Sequence, residues 1–273
     1  MRVIFITGAS SGIGAELAKQ YAKPGVHLIL FARRESELEA VGAACRENGA
    51  KVFLAIGDVT KRADLNAAVD KAHSLWGKPV DTVVANAGFG VGGGFEAMST
   101  EDYRRQFDVN LFGVIDTIYA VFDDLKETRG RIAILGSVLS YISLPKASAY
   151  CMSKFAVKAL ADSMYLDLGP KGISVTLICP GMVDSDIRRR DKNGNYVAHQ
   201  KDMSPEWIRM PTDVAAKQIH RAIEGRKREV VITVHGKLGV LLQRYAPWVV
   251  RFFVRRRQSS GIAASQAAAV GKS

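Results

Sequence analysis

The sequence is poor in several things, and each shortage excludes something. Among 273 residues there are three cysteines, Cys45, Cys151 and Cys179, widely spaced, with no two of them three positions apart. That rules out a disulfide framework and the paired spacing of a zinc site, and it suits a reducing compartment. No metal site is expected, and the cysteines read as small buried hydrophobes. No uninterrupted apolar run reaches the roughly 20 residues of a membrane-spanning helix. The apolar run at the N-terminus is only a few residues long and passes straight into a glycine-rich turn that cleavage would destroy, so no secretory signal is expected and the chain is expected in the cytoplasm. No Pro/Gly/Ser-rich linker or internal repeat divides it, and its length suits one α/β domain with an ample core.

What is present begins at once. Arg2-Val3-Ile4-Phe5-Ile6 is a short apolar run rich in β-branched residues, a buried strand by pattern, and Thr7-Gly8-Ala9-Ser10-Ser11-Gly12-Ile13-Gly14 follows it. Strand, glycine-rich turn and helix in that order form the context a dinucleotide site requires. Gly8 permits the tight turn, Gly12 lets backbone approach a pyrophosphate, and Gly14 lets the new helix pack near the strand. The free N–H groups and positive dipole end of that helix then face the phosphates.

Further apolar runs at Val26–Phe31, Lys51–Ile56, Thr82–Ala85, Arg131–Leu135 and Ile173–Ile178 alternate with stretches of helical period. Strands apolar on both faces that trade places with helices predict a parallel sheet covered on each side, joined by right-handed crossovers. The fold class expected is α/β, one doubly wound domain over residues 1–235, followed by a basic amphipathic segment over 236–257 and a disordered Ala/Ser/Gly-rich tail over 258–273.

Tyr150 and Lys154 lie four apart, so a helix would place phenol and ammonium on one face, one turn apart. Such a pair is commonly a half-buried tyrosine beside a solvated lysine; as a functional pair, the ammonium favours the phenolate and lowers the tyrosine pKa toward working pH, as acid–base chemistry requires. With the glycine motif placed, the sequence resembles the short-chain dehydrogenase/reductase family, from about residue 2 to about residue 232. The resemblance rests on Thr7 to Gly14, Asp58, Asn86-Ala87-Gly88, Asn110, Ser137, Tyr150 with Lys154, and Pro180-Gly181, in the family's order. The family's usual Asn-Asn-Ala-Gly stands here as Ala85-Asn86-Ala87-Gly88, a mild departure.

The resemblance implies a Rossmann domain and a tetrad of Asn110, Ser137, Tyr150 and Lys154. Tyr150 would protonate the substrate oxygen after hydride transfer, and Ser137 would hydrogen-bond the same oxygen. Lys154 would favour the Tyr150 phenolate and bind the ribose hydroxyls, and Asn110 would anchor a relay water. It also implies that Gly8, Ser10, Ser11, Gly12, Ile13 and Gly14 hold the pyrophosphate side, that Asp58 and Val59 meet the adenine, that Asn86, Ala87 and Gly88 line the cofactor cleft, and that Pro180, Gly181, Val183 and Ser185 meet the nicotinamide side. Relatives usually carry Thr where Ser185 stands. Family habit adds a homodimer or homotetramer.

Cofactor choice is read at the end of the second strand, where an acid selects NAD and a basic residue welcomes the 2′-phosphate of NADP. The strand ends Phe31-Ala32-Arg33-Arg34. Ala32 stands where NAD-preferring relatives have the acid, and Arg33, with Arg34, offers a planar double donor, so NADP(H) is expected. The competing reading has both arginines opening a solvated helix, with Glu35 or Glu37 on the ribose. Gly90 to Gly94 reads as either a pocket wall or a surface turn. Asp186 to Met210, with three consecutive arginines, is long enough for a lid.

From Val230 to Ser273 there is no Asp or Glu, and seven Lys and Arg residues there leave only +4 of the chain's +11 formal charge to residues 1–229. Leu238, Leu241, Leu242, Tyr245, Trp248, Val249 and Phe252 recur at helical spacing beside Lys237, Arg244, Arg251 and Arg255, and Pro247 should kink or divide the helix. This segment reads three ways: lying on the cytosolic face of an anionic membrane without crossing it, packing on its own domain, or forming a subunit interface. Nucleic acid is not expected, because the charge is interleaved with apolar residues and no nucleic-acid module is present. The function expected is an NADP-dependent ketone reductase for a lipophilic substrate. The alternatives are a soluble 3-oxoacyl-thioester reductase of fatty-acid synthesis and, more remotely, a non-enzymatic dinucleotide-binding scaffold.

Overall fold

The computed structural model describes residues 1–184 and 206–256. In chain order the elements are β1 Arg2–Thr7, α1 Gly12–Tyr21, β2 Val26–Ala32, α2 Glu35–Glu47, β3 Lys51–Ile56, α3 Arg62–Trp76, β4 Thr82–Ala85, α4 Thr100–Phe107, α5 Gly113–Ala120, α6 Phe122–Thr128, β5 Arg131–Leu135, α7 Ser148–Leu168, β6 Ser174–Pro180, α8 Thr212–Glu224, β7 Glu229–Ile232 and α9 Val234–Tyr245. A last helix, α10, covers residues 247–256.

The strands form one sheet in the order β3-β2-β1-β4-β5-β6-β7, every neighbouring pair parallel. Side chains alternate across each strand and both faces are covered. Val3 and Phe5 of β1 face a core shared with Leu65 of α3, Val114 of α5 and Val157 of α7, whereas Ile4 and Ile6 face Leu17 of α1, Leu38 of α2 and Ile219 of α8. The chain reverses its direction of winding between β1 and β4. The carboxyl ends of the strands open a crevice there, the place where open α/β sheets take their ligands.

One strand boundary differs from expectation for a local reason. β6 starts one residue later than Ile173, whose N–H closes the preceding turn onto Leu168 O at 3.2 Å, and it runs on to Pro180. There the absent N–H falls at the strand's last position, where it breaks no interior ladder. The C-terminal helical segment is divided at Ala246 (φ −141°), and Pro247 opens α10, a first-turn position at which its missing donor does no harm. Lys237 and Arg244 therefore sit on α9 and Arg251 and Arg255 on α10, on two helices and not one. Among the described residues no helix is long and apolar enough to cross a membrane.

Candidate active site

The glycine turn after β1 is locked by backbone. Gly8 has φ +66°, and a Cβ on it would lie 2.9 Å from Ala87 Cα and 2.8 Å from Asn86 Nδ2. Asn86 Nδ2 donates to Thr7 O at 2.9 Å and Gly8 O at 3.1 Å, while Thr7 Oγ1 accepts from the N–H groups of Asn86 and Ala87, both at 3.2 Å. A Cβ on Gly14 would overlap Gly8 O. β1, the start of α1 and the end of β4 thus approach as closely as glycine allows. Ser11 precedes α1 without capping it by side chain, so the first-turn N–H groups stay available to an anion.

A cavity of about 520 Å³ opens over this turn. Its lining includes Gly8, Ser10, Ser11, Gly12 and Ile13 at the turn, Arg33 and Arg34 after β2, Asp58 and Val59 after β3, and Asn86, Ala87 and Gly88 after β4. Arg34 folds back over the turn, Nη2 donating to Ser11 Oγ at 2.7 Å and Ser10 Oγ at 3.2 Å, and Nη1 to Glu37 Oε1 at 3.0 Å. Arg33 Nη1 stands 3.8 Å from Asp58 Oδ2. Glu35 and Glu37 do not line the cavity. Bare donors, a helix start and two guanidiniums fit a dinucleotide.

The other end is built from side chains. Ser137, two residues beyond β5, caps a short 3₁₀ turn: Leu139 N–H donates to Ser137 Oγ at 3.1 Å and Ser137 N–H to Ser140 Oγ at 3.1 Å. α7 carries Tyr150, Ser153 and Lys154. Lys154 is buried, its Nζ donating to Leu135 O at 2.6 Å and standing 5.7 Å from the centre of the Tyr150 ring. Burial pulls its pKa down to about 8, against a weaker opposing pull from Cys179. Gly90 passes over the tyrosine, for a Cβ there would lie 3.3 Å from Tyr150 Cδ2, and Gly93 N–H donates to Lys146 O at 2.9 Å, just before α7.

Asn110 lies in a π-helical turn, Asp108–Phe112, between α4 and α5, the kind of turn often found at functional sites. Its Nδ2 donates to Phe89 O at 3.0 Å and Ser153 Oγ at 3.2 Å, and its Oδ1 accepts from Phe89 N–H at 3.1 Å. Ser153 Oγ donates in turn to Tyr150 O at 2.8 Å. Gln106, which sequence reasoning missed, is fully buried and works alongside: Oε1 accepts from Val91 N–H at 2.7 Å and Nε2 donates to Phe89 O at 2.8 Å. Its signal was the four-residue spacing from Asn110, which puts the two amides on one helix face.

After β6, Gly181 N–H donates to Ile232 O at 3.1 Å and Val183 is buried. Ser137, Tyr150, Lys154, Pro180, Gly181 and Val183 lie beyond the cavity lining. Ser185 and the segment through residue 205 lie outside the described residues. Cys45, Cys151 and Cys179 are all buried and unpaired with one another, and burial pushes the thiols up, Cys45 to about 11 and Cys179 to about 12. Such thiols are poor nucleophiles at neutral pH.

A doubly wound sheet with an open helix start at its switch point, and a buried lysine behind a tyrosine at the next strand ends, defines a dinucleotide-binding oxidoreductase. The model of the family described as short chain dehydrogenase matches residues 2–195, and the chain belongs to that family, whose members act on alcohol and carbonyl groups with a nicotinamide dinucleotide. Dehydrogenase/reductase SDR family member 7 of Homo sapiens is 37% identical over 93% of this chain and 78% of its own length. An 11-beta-hydroxysteroid dehydrogenase of Pinus massoniana is 35% identical over 69% of this chain, which spans 53% of that protein. Among solved structures, a short-chain dehydrogenase of Sphingobium yanoikuyae in complex with NADPH is 28% identical with a TM-score of 0.75, covering 95% of this chain and 96% of that one. One from Burkholderia phymatum in complex with NAD is 25% identical with the same TM-score, covering 84% and 88%.

Proposed function

We propose that the chain is an NADP-dependent reductase of a lipophilic ketone, and that the reverse oxidation of the secondary alcohol uses the same groups. The observation that carries the reading is the buried Lys154 beside the Tyr150 ring, one helical turn from it and tied to the end of β5. Tyr150 Oη gives its proton to the substrate oxygen as negative charge develops there, and the Lys154 ammonium stabilises the phenolate left behind. The Ser137 hydroxyl donates to the same oxygen and fixes its direction. Asn110 and Gln106 hold the Phe89–Val91 backbone across from α7, which keeps the Tyr150 side of the site narrow. The first turn of α1 takes the pyrophosphate, Arg33 and Arg34 the 2′-phosphate, Asp58 and Val59 the adenine, and Pro180, Gly181, Val183 and Ser185 the reactive end. Bound there, the reduced nicotinamide supplies the hydride.

The preference for NADP is supported by the two arginines at the end of β2 and by the absence of Glu35 and Glu37 from the cavity lining. A lipophilic substrate is supported by α9 and α10: Leu238, Leu241, Tyr245, Trp248, Phe252 and Phe253 are each more than half exposed, interleaved with basic residues and without an acid. Such a surface suits peripheral contact with anionic lipid, where apolar ketones collect. The hydroxysteroid dehydrogenase among the relatives points the same way. We read the protein as a homodimer or homotetramer on the cytosolic face of a membrane.

Tyr150→Phe tests the mechanism. Ketone-dependent NADPH oxidation is expected to fall at least about 10³-fold, with NADPH affinity within a factor of about two. Activity retained in this variant would overturn the assignment. A panel of lipophilic and hydrophilic ketones, each run with NADPH and NADH, tests substrate polarity and cofactor together.

A further inference from the structure

Thr233, directly after β7, has φ +87°, a backbone value that β-branched residues rarely adopt and that persists only where the surroundings enforce it. Its Oγ1 accepts from Gly236 N–H at 3.2 Å, capping α9, and stands 3.1 Å from His235 Nε2. The same Nε2 accepts from Met182 N–H at 3.1 Å. A ring nitrogen that accepts from an N–H carries no proton, so His235 is a neutral imidazole protonated on Nδ1. Burial acts in the same direction, lowering its pKa.

Capping α9 needs only Thr233 and Gly236, so the bond to Met182 has another use. Met182 belongs to the loop after β6, which emerges beside Ser137 because β6 pairs with β5, Ile178 opposite Leu135, and Gly136 N–H donates to Ile178 O at 2.7 Å. The loop is also held from its other side, Met210 N–H donating to Met182 O at 2.9 Å and Asp184 N–H to Met210 O at 3.0 Å. Space around the latch is filled: a Cβ on Gly181 would overlap Thr233 Oγ1 and lie 2.8 Å from His235 Nε2.

We propose that His235 is a positioning residue, which by accepting the Met182 N–H sets the height of the Gly181–Val183 loop for the reactive half of the dinucleotide and ties that loop to the first turn of α9. The inference rests on the dinucleotide reading above. Its consequence is selective, since the adenine half binds at the far end of the site and does not meet this loop.

The test titrates the full-length protein with NADPH and with 2′,5′-ADP, which lacks the nicotinamide half, for wild type, His235→Leu and His235→Gln. His235→Leu is expected to weaken NADPH about tenfold, the loss of one hydrogen bond's worth of affinity, with 2′,5′-ADP within about twofold. His235→Gln, whose amide oxygen can reach the Met182 N–H, is expected to recover NADPH affinity to within about threefold. Equal NADPH binding by wild type and His235→Leu overturns the proposal. So does parallel weakening or loss of both ligands, folded or not, and so does a glutamine variant as weak as the leucine one. Wild-type protein that bound no NADPH would overturn the dinucleotide reading instead.

Discussion

The two ends of the site are made in opposite ways. At the proposed phosphate end, residues 7–14 and Asn86-Ala87-Gly88 bring backbone donors together, and the requirement on sequence is mostly that side chains be missing: Gly8 and Gly14 have no room for a Cβ. At the proposed reactive end, Ser137, Tyr150, Lys154, Met182 and His235 come from four different parts of the chain, and the end depends on polar side chains, of which Ser137 and Lys154 are buried. A backbone site excludes atoms, whereas a side-chain site must hold charge out of water. The first is stable as it stands. The second is destabilising until it works, as expected of functional polar groups.

Lys154→Met should expose that difference most strongly. Reductase activity is expected to fall about 10³-fold or more, measured at saturating NADPH. The apo protein is expected to become more stable, since the methionine fills the same space without a buried charge. The folded-state pKa of about 8 lies below the ordinary 10.5. Below pH 8 the lysine is charged folded or unfolded, and the fold carries the whole desolvation penalty. Between 8 and 10.5 the folded form loses its proton first, so stability rises with pH through that window. The gain in Tm for the methionine variant, on the order of 5 °C at pH 7, is therefore expected to shrink across this window and vanish above it. A variant less stable than wild type at pH 7 would erase the contrast between the two ends.

Arg34→Ala probes the opposite end. Loss of a bidentate guanidinium to a phosphate is worth about 10- to 100-fold, so NADPH affinity should drop by that factor while NADH affinity stays within about twofold. Equal losses for both cofactors would mean that Arg34 serves the turn itself, through Ser10 and Ser11, and not the 2′-phosphate.

This contrast also governs how much was legible in the sequence. The glycine turn, the alternation of strands and helices and the Tyr150–Lys154 pair follow from local periodicity and spacing, and the observed sheet reproduces the expected parallel α/β arrangement. β7, four residues opening on Glu229, was too short to register as a strand by pattern. Gln106 had only its four-residue spacing from Asn110 to mark it, and His235 was illegible as a participant for a different reason. His235 acts through a long-range hydrogen bond from backbone, at Met182, and no local rule links it to a residue 53 positions earlier. The division at Pro247 was readable because proline acts on its own backbone.

Gly14→Ala sharpens the comparison at a smaller scale. The added methyl meets Gly8 O and Asn86 Nδ2, backbone and a side chain with two bonds of its own. A loss of about 2 kcal/mol, or about 4–8 °C in Tm, is expected, with weaker NADPH and 2′,5′-ADP binding alike. That parallel loss is the signature of the backbone end, opposite to the selective loss expected at His235.

The smallest effect on catalysis should come from the tail, and its smallness is informative. Trp248→Ser with Phe252→Ser removes two exposed apolar anchors from α10 without touching a described hydrogen bond of the site. Sedimentation with vesicles containing phosphatidylserine should fall by roughly 10-fold or more, since each buried aromatic contributes on the order of 1–2 kcal/mol at an interface. Turnover of a water-soluble ketone should stay within about twofold, because α9, not α10, holds Met182 through His235. Reversing Arg251 and Arg255 to Glu should weaken vesicle binding further at low salt and little at high salt, as screening requires. Vesicle binding unchanged in both variants would leave the apolar stripe to a second subunit, and a lipophilic substrate would then need support from the ketone panel alone.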